Sequence, residues 1–331
     1  MKIDVFNHVL PVEFFEKLDG VLPAVVIERL NALRTVHDMD ARLRMMDEFD
    51  DYQQILSMAQ PATEAIAGPD DSPALTRVAN DGMARICREH PDRMPWFIAS
   101  LPMNNTEASL AEIDHAIDDL GAVGFQIFSN VNDRALDRPE FRDIFCMIAE
   151  RGKVIWLHPA RPASHPDYLT EDRSFYEIFW GFGWAYETSV AMARIVCSGM
   201  FDEIPNLKII AHHWGAYAPH AEGRFTPAWE NRNAAIGEGE KFAGKLKKPL
   251  VDYFKQNFYG DTAMFGAQAA SQAGFDFFGA DHSFFATDAP YDHEGGAYNI
   301  RKTLEVLHNL RCTDADRQMI FEDNSRKVLG I

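Results

Sequence analysis

The chain has 331 residues, of which 47% are apolar and 25% charged, the balance of a soluble globular protein long enough to bury a sizeable core. A formal net charge of −18 argues against a nucleic-acid groove or an anionic membrane surface as partner. No window approaches the ~18 consecutive apolar residues of a membrane-spanning helix.

The first residues, KIDVF (2–6), read as a short buried strand, so no secretory leader is expected. His8 sits where that strand would end. Residues 14–37 form a long first connection, followed by DMDARLRMMDEFD, a helical pattern with Leu43, Met46 and Phe49 on one face. QQILSM (53–58) is the second strand, and Ser72 opens the next helix as a candidate N-cap, with Pro91 beyond its end. WFIASL (96–101) precedes a helix expected to be capped by Thr106 and closed by Gly121. VGFQIF (123–128) precedes a helix closed by Gly152, and VIWLH (154–158) ends on His158. Residues 161–190 are rich in Pro, Gly and aromatics. LKIIAH (207–212), NFYGDT (257–262) and SFFATD (283–288) complete eight short apolar runs.

These runs lack strict polar alternation, as expected of parallel strands covered on both faces. Strand followed by helix, repeated over about 290 residues, is the pattern of a (β/α)8 TIM barrel, an α/β fold, in one domain. A doubly wound open sheet is the runner-up; no G-x-G-x-x-G follows a strand, which removes its commonest cofactor-binding form. The four cysteines, Cys87, Cys146, Cys197 and Cys312, form no C-x-x-C pair. That is the usage of a reduced, cytoplasmic protein and leaves nitrogen and oxygen as the donors for any metal.

In a parallel barrel the strand C-termini converge on one face, which brings together His8, His158, His213 and Asp288. Taken singly, a histidine at a strand end is more often a satisfied core residue. Four such residues in one setting point instead to a catalytic centre holding one divalent ion, with Zn²⁺ expected first and Mn²⁺ as an alternative. His212, next to His213, is expected to face the other way by strand alternation. The connection after strand 5 adds Phe179, Trp180, Phe182, Trp184 and Tyr186, with Phe128 and Trp214 at neighbouring strand ends. An aromatic-lined pocket suits a planar or conjugated acid, and Glu187 adds a carboxylate.

The IDVFNHVLP start, ARLRMMDEFD, EHPDRMPWFIASLP, LHPA, PNLKIIAHHWGAYAPHAEGR, GADHSFFATDAP and FEDNSRKVLGI together resemble the amidohydrolase-2 family over nearly the whole chain. The resemblance implies that His8 and His158 bind metal. It further implies that Asp288 binds metal and handles protons, and that His213 activates water or polarises substrate. Arg224 resembles an arginine that, in the decarboxylase branch, reaches the substrate carboxylate in a neighbouring subunit, which implies a homodimer or higher homo-oligomer. Arg42, or Arg44 in its place, resembles a second carboxylate-binding arginine. The chain departs from the family at Phe6, where a first-strand ligand is usual and phenylalanine cannot ligate.

Three functions follow as expectations. The first is non-oxidative decarboxylation of an aromatic or unsaturated carboxylic acid, with Asp288 and His213 catalytic and Arg224, Arg42, Trp184 and Glu187 binding the substrate. The second is metal-assisted hydrolysis of a C–N, C–O or C–C bond. The third is a structural or regulatory subunit that pairs with an active paralogue.

Overall fold

The computed structural model describes residues 1–225, 227–236 and 245–331. Eight parallel strands lie side by side in chain order: β1 (Lys2–Val9), β2 (Tyr52–Met58), β3 (Trp96–Ser100), β4 (Gly124–Phe128), β5 (Val154–His158), β6 (Lys208–Ala211), β7 (Phe258–Asp261) and β8 (Ser283–Phe284). Beyond β8 the chain still pairs with β1. Val5 N donates to Phe285 O at 2.9 Å, Asp288 N to Phe6 O at 3.0 Å and His8 N to Ala289 O at 2.7 Å. These bonds join the two edges of the sheet and make it the expected barrel. No helix among the described residues is long and apolar enough to cross a membrane.

Alternation along each strand separates two apolar layers. Val154 and Trp156 of β5, Ile210 of β6, Phe284 of β8 and Ala286 just beyond it fill the barrel interior. Ile155, Leu157, Ile209, Ala211 and Phe285 face the surrounding helices. The Trp156 indole crosses the interior and donates to Val5 O at 2.9 Å. A Cβ on Gly124 would lie 2.4 Å from that ring and 2.5 Å from Val154 O, so this position needs glycine for close approach.

β1 breaks the alternation. Its register to β2 shifts between Asp4 and Asn7, and Val5 and Phe6, adjacent in sequence, both join the interior. Such a bulge moves the inward set from odd to even positions, and His8 therefore comes inside. The Asp4 carboxylate secures the bulge. It accepts from Phe6 N at 3.3 Å, from Thr287 N at 3.1 Å and Oγ1 at 2.6 Å, and from the Tyr52 hydroxyl at 2.5 Å. Burial pushes this carboxyl up to about 7 against those hydrogen bonds.

The four expected helices form as Met39–Met46, Ser72–Glu89, Thr106–Asp118 and Arg142–Glu150. Two caps differ from expectation. Asn105, not Thr106, accepts from Ala108 N at 3.0 Å, because the Thr106 hydroxyl donates to Glu140 O. Ser72 is the first residue inside its helix, and its hydroxyl donates to Asn104 Oδ1 at 2.6 Å instead of capping. Gly121 and Gly152 are left-handed just past helix ends, at φ +79° and +68°. The long connections also contain helix: Ala24–Ala32 in the first, and Phe179–Gly183 running into Trp184–Cys197 in the second.

Because Tyr52 supplies one of the donors that hold Asp4 between the first and last strands, Tyr52→Phe should cost about 1–2 kcal/mol in urea denaturation. An unchanged midpoint would show that the bulge does not depend on this contact.

Candidate metal centre

Three imidazoles and a carboxylate meet at the C-terminal mouth of the barrel. His8, His158, His212 and Asp288 are all buried. The inward parity set by Ile210 carries to the residue two further on, and the pairing of Trp156 with Ile210 and Leu157 with Ala211 brings His212 abreast of His158. His212 thus points into the site, contrary to the expectation from sequence. β6 ends at Ala211, and the backbone then turns left-handed at His213 (φ 56°, ψ 51°), so alternation cannot be counted through His213. His213 stays beside the cluster, with Nε2 3.5 Å from Asp288 Oδ2, and is 16% exposed.

Each imidazole of the trio has its tautomer fixed by an acceptor at Nδ1. Ser57 Oγ donates to Asn7 O at 2.5 Å and is thereby left to accept from His8 Nδ1 at 3.1 Å. Pro159 O, which can only accept, lies 2.7 Å from His158 Nδ1. Asp261 Oδ2 lies 2.6 Å from His212 Nδ1. A neutral imidazole protonated at Nδ1 presents a lone pair at Nε2. Nε2 of His8 and of His212 are buried without a hydrogen-bond partner. His8 Nε2 does come within 2.9 Å of Asp288 Oδ1, but the approach lacks the angle of a hydrogen bond. Lone pairs facing one another across so short a gap are what a shared cation would reconcile. Among the described residues, the ligand atoms of His8, His158 and His212 lie within 4.8 Å of one another, as do those of His212, His213 and Asp288. Imidazole nitrogens with a carboxylate oxygen are donors of the kind that fit a first-row dication, and the two groups meet at His212.

The electrostatics follow from burial and proximity. Burial opposes ionisation of Asp288, but the imidazoles of His212, His213 and His8 close around it outweigh that cost and hold the carboxyl well below its usual range. Burial also opposes the proton of His212, yet Asp261 on one side and Asp288 on the other lift it to about 9, so without an ion Nε2 carries a proton that a bound cation would have to displace. Burial, with His8 and His212 beside it, pushes His158 well below the ordinary imidazole range. Burial and the adjacent His212 lower His213 as well.

Phe6 packs against the cluster, its ring 4.1 Å from that of His212 and 5.2 Å from that of His8. Above it opens a cavity of about 520 Å³ with His158 and Asp288 at its base and Phe179, Trp180, Trp184, Phe265 and Tyr291 among its walls. That volume is within the roughly 300–1,000 Å³ of small-molecule sites. Trp184 stands edge-on to His158 at 5.7 Å between ring centroids.

Several expected site residues lie elsewhere. The Arg42 guanidinium is wholly buried and donates to Gln54 Oε1, His8 O, Thr35 O and Asn7 Oδ1, so it braces the end of β1 and does not reach the cavity. Glu187 pairs with Arg161 at 2.9 Å and does not line the cavity. Arg224 is exposed on the short helix Glu222–Arg224, also away from it. Phe182 and Tyr186 face solvent, and Trp214 is buried against Gly274 in the outer layer. The sequence reading missed Arg29, Tyr291 and Asp261. Only Asp261 carried a signal, as an acid ending NFYGD in the same setting as Asp288.

A family model described as amidohydrolase matches residues 3–331. γ-Resorcylate decarboxylase from Rhizobium sp. (strain MTP-10005) is 30% identical over 342 aligned positions, spanning 100% of this chain and 98% of the relative. Two crystal structures share the fold at 27% identity. One is 2,6-dihydroxybenzoate decarboxylase complexed with 2,6-dihydroxybenzoate, with a TM-score of 0.78 over 99% of this chain and 98% of that one. The other is dihydroxybenzoic acid decarboxylase from Polaromonas sp. JS666 with bound manganese and the inhibitor 2-nitroresorcinol, with a TM-score of 0.79 over 99% and 96%.

Elemental analysis of the purified chain should find about one divalent ion per molecule, falling well below one in both His158→Ala and Asp288→Ala. Unchanged ion content in both variants would remove the centre.

Proposed function

The chain belongs to the amidohydrolase family, and on that premise we propose that it is a metal-dependent, non-oxidative decarboxylase of a hydroxylated aromatic carboxylic acid. The observation that carries this reading is an aromatic-walled cavity ending directly on a buried imidazole–carboxylate cluster. The 2,6-dihydroxybenzoate and 2-nitroresorcinol bound in its structural relatives, both small hydroxylated rings, support the substrate class.

Each group in the site has a task in that reaction. Trp180, Trp184 and Phe265 clamp a planar ring and keep water from it. Among the described residues lining the cavity, Arg29 is the one Lys or Arg, placed to read an anionic or hydroxyl substituent. His8, His158 and Asp288 would hold the ion. An ion held there would supply electrostatic stabilisation for the negative charge of the bound acid.

Loss of CO₂ needs a proton at the carbon that bears the carboxylate. As the C–H bond forms there, the C–C bond breaks, its electron pair returns to the ring and CO₂ leaves, so each carboxylate consumes one proton. Asp288 faces the cavity and is ionised at rest. It can deliver a proton only after receiving one, and the partly exposed His213, 3.5 Å away, is placed to supply it from solvent.

The ion itself is open between two choices. Imidazole donors favour Zn²⁺, whereas manganese is bound in the Polaromonas structure; reconstitution with each in parallel decides. We further propose a homodimer or higher homo-oligomer in the cytoplasm, with the exposed Arg224 turned toward a neighbouring chain.

Turnover of a 2,6-dihydroxybenzoate-type acid in D₂O should place one deuteron on the vacated carbon and release CO₂, with no solvent ¹⁸O in the aromatic product. Uptake of solvent oxygen into that product would replace this reading with hydrolysis.

A further inference from the structure

The ligand expected from the first strand is missing, and the geometry around Phe6 indicates what stands in for it. We infer that His212 takes the coordination role that Phe6 cannot fill, so that the ion is held by His8, His158, His212 and Asp288. This inference rests on the metal-dependent reading above and goes beyond it in the ligand set.

Several observations converge on His212. Among the described residues it is the one donor common to both groups of convergent ligand atoms, His8–His158–His212 and His212–His213–Asp288. Neither the strand-end trio of His8, His158 and Asp288 nor these three with His212 form one such group among the described residues; His212 is what links the two. His212 Nε2 is buried without a hydrogen-bond partner and lies 3.5 Å from Asp288 Oδ1, on the side of the carboxylate that also faces His8. Its ring is fixed from behind. Asp261 is wholly buried and immobilised, with Oδ1 accepting from His213 N at 3.0 Å and Ala263 N at 3.2 Å and Oδ2 engaging His212 Nδ1. A carboxylate behind an imidazole is the arrangement that orients a metal-binding histidine and strengthens it as a donor.

Phe6 supplies the reason for the substitution. Its ring lies closer to His212 than to either other imidazole of the trio, at 4.1 Å against 5.2 Å to His8 and 5.7 Å to His158. It fills the first-strand side with carbon and excludes water from it. An ion held by His8, His158 and Asp288 alone would meet carbon on that side, and His212 is the imidazole of the trio whose ring lies nearest to Phe6. His213 is the less suitable substitute, being partly exposed and outside the group that contains His8 and His158. Its separate position leaves it to the proton transfer.

The test is ion binding, read without turnover. Chelator-stripped protein is titrated with Mn²⁺ against a fluorescent chelator, using wild type, His212→Asn, His213→Asn, Phe6→His and the Phe6→His/His212→Asn double variant, with circular dichroism to check folding. Wild type should bind about one ion. His212→Asn should bind ~100-fold more weakly and His213→Asn within ~3-fold of wild type, while Phe6→His should recover at least ~10-fold in the His212→Asn background. His212→Asn binding within threefold of wild type, or His213→Asn losing as much as His212→Asn, would overturn the inference. If His212→Asn does not fold, Co²⁺-loaded wild type still decides. Its proton NMR spectrum should show three exchangeable, strongly shifted imidazole N–H signals, one for each histidine bound through Nε2; two signals would overturn the inference and leave the metal-dependent reading intact. Wild type that binds no ion would overturn both.

Discussion

The hydrogen bonds between the first strand and the chain beyond the eighth hold the site in one piece. They run from Val5, His8 and Asp288, and two of these three residues belong to the candidate centre. His8 and Asp288 are separated by 280 residues of chain, and nothing local could set their spacing. Closure of the barrel does so, and the Asp4 carboxylate reinforces it by accepting from both strands at once. The bulge at Asp4–Asn7 then decides which side chains enter. Without that extra residue, His8 would face the helices and the centre would lose its first donor.

With parity set, the chemistry of the mouth is governed by the absence of water. Several imidazoles and two carboxylates share a space where charge is expensive, so neighbours decide how Asp288 and His212 titrate. Asp288 remains a carboxylate because histidines surround it, and His212 binds its proton tightly because a carboxylate lies on either side. A dication is compatible with this arrangement because it satisfies at one point the ring nitrogens that have no other partner. The backbone is strained in the same place. His213, Trp214, Ala216 and Asp288 all have positive φ without being glycine, a conformation that persists only where surrounding structure enforces it and that clusters at functional sites.

Most of the barrel was legible in the sequence because its strands are short apolar runs separated by amphipathic helices, a pattern each segment carries by itself. All eight strands lie where the runs place them, although β8 is assigned at only two residues. The cluster was less legible, since a side chain's direction depends on register and backbone turns that a run of letters does not reveal. His158 is the last residue of β5, and Asp288 lies beyond β8 in a stretch that still pairs with β1. His212 and His213 straddle a strand end and a left-handed turn, and alternation counted through that turn misjudges which way His212 points. Counting from Ile210, or matching KIIAH to VIWLH, would have selected His212. Arg42 and Glu187 were misread for another reason. Their partners, Asn7 and Gln54 for the one and Arg161 for the other, lie far enough along the chain that only the folded structure brings them together.

The account stands on one dication at the mouth of this barrel, bound among residues from strands 1, 5, 6 and 8. The most direct measurement is an anomalous-difference map from crystals of the chain grown with Mn²⁺. A single peak within bonding distance of His8 Nε2, His158 Nε2, His212 Nε2 and an Asp288 oxygen is the predicted result. A peak outside this cluster, or no peak there at saturating Mn²⁺, would contradict the account.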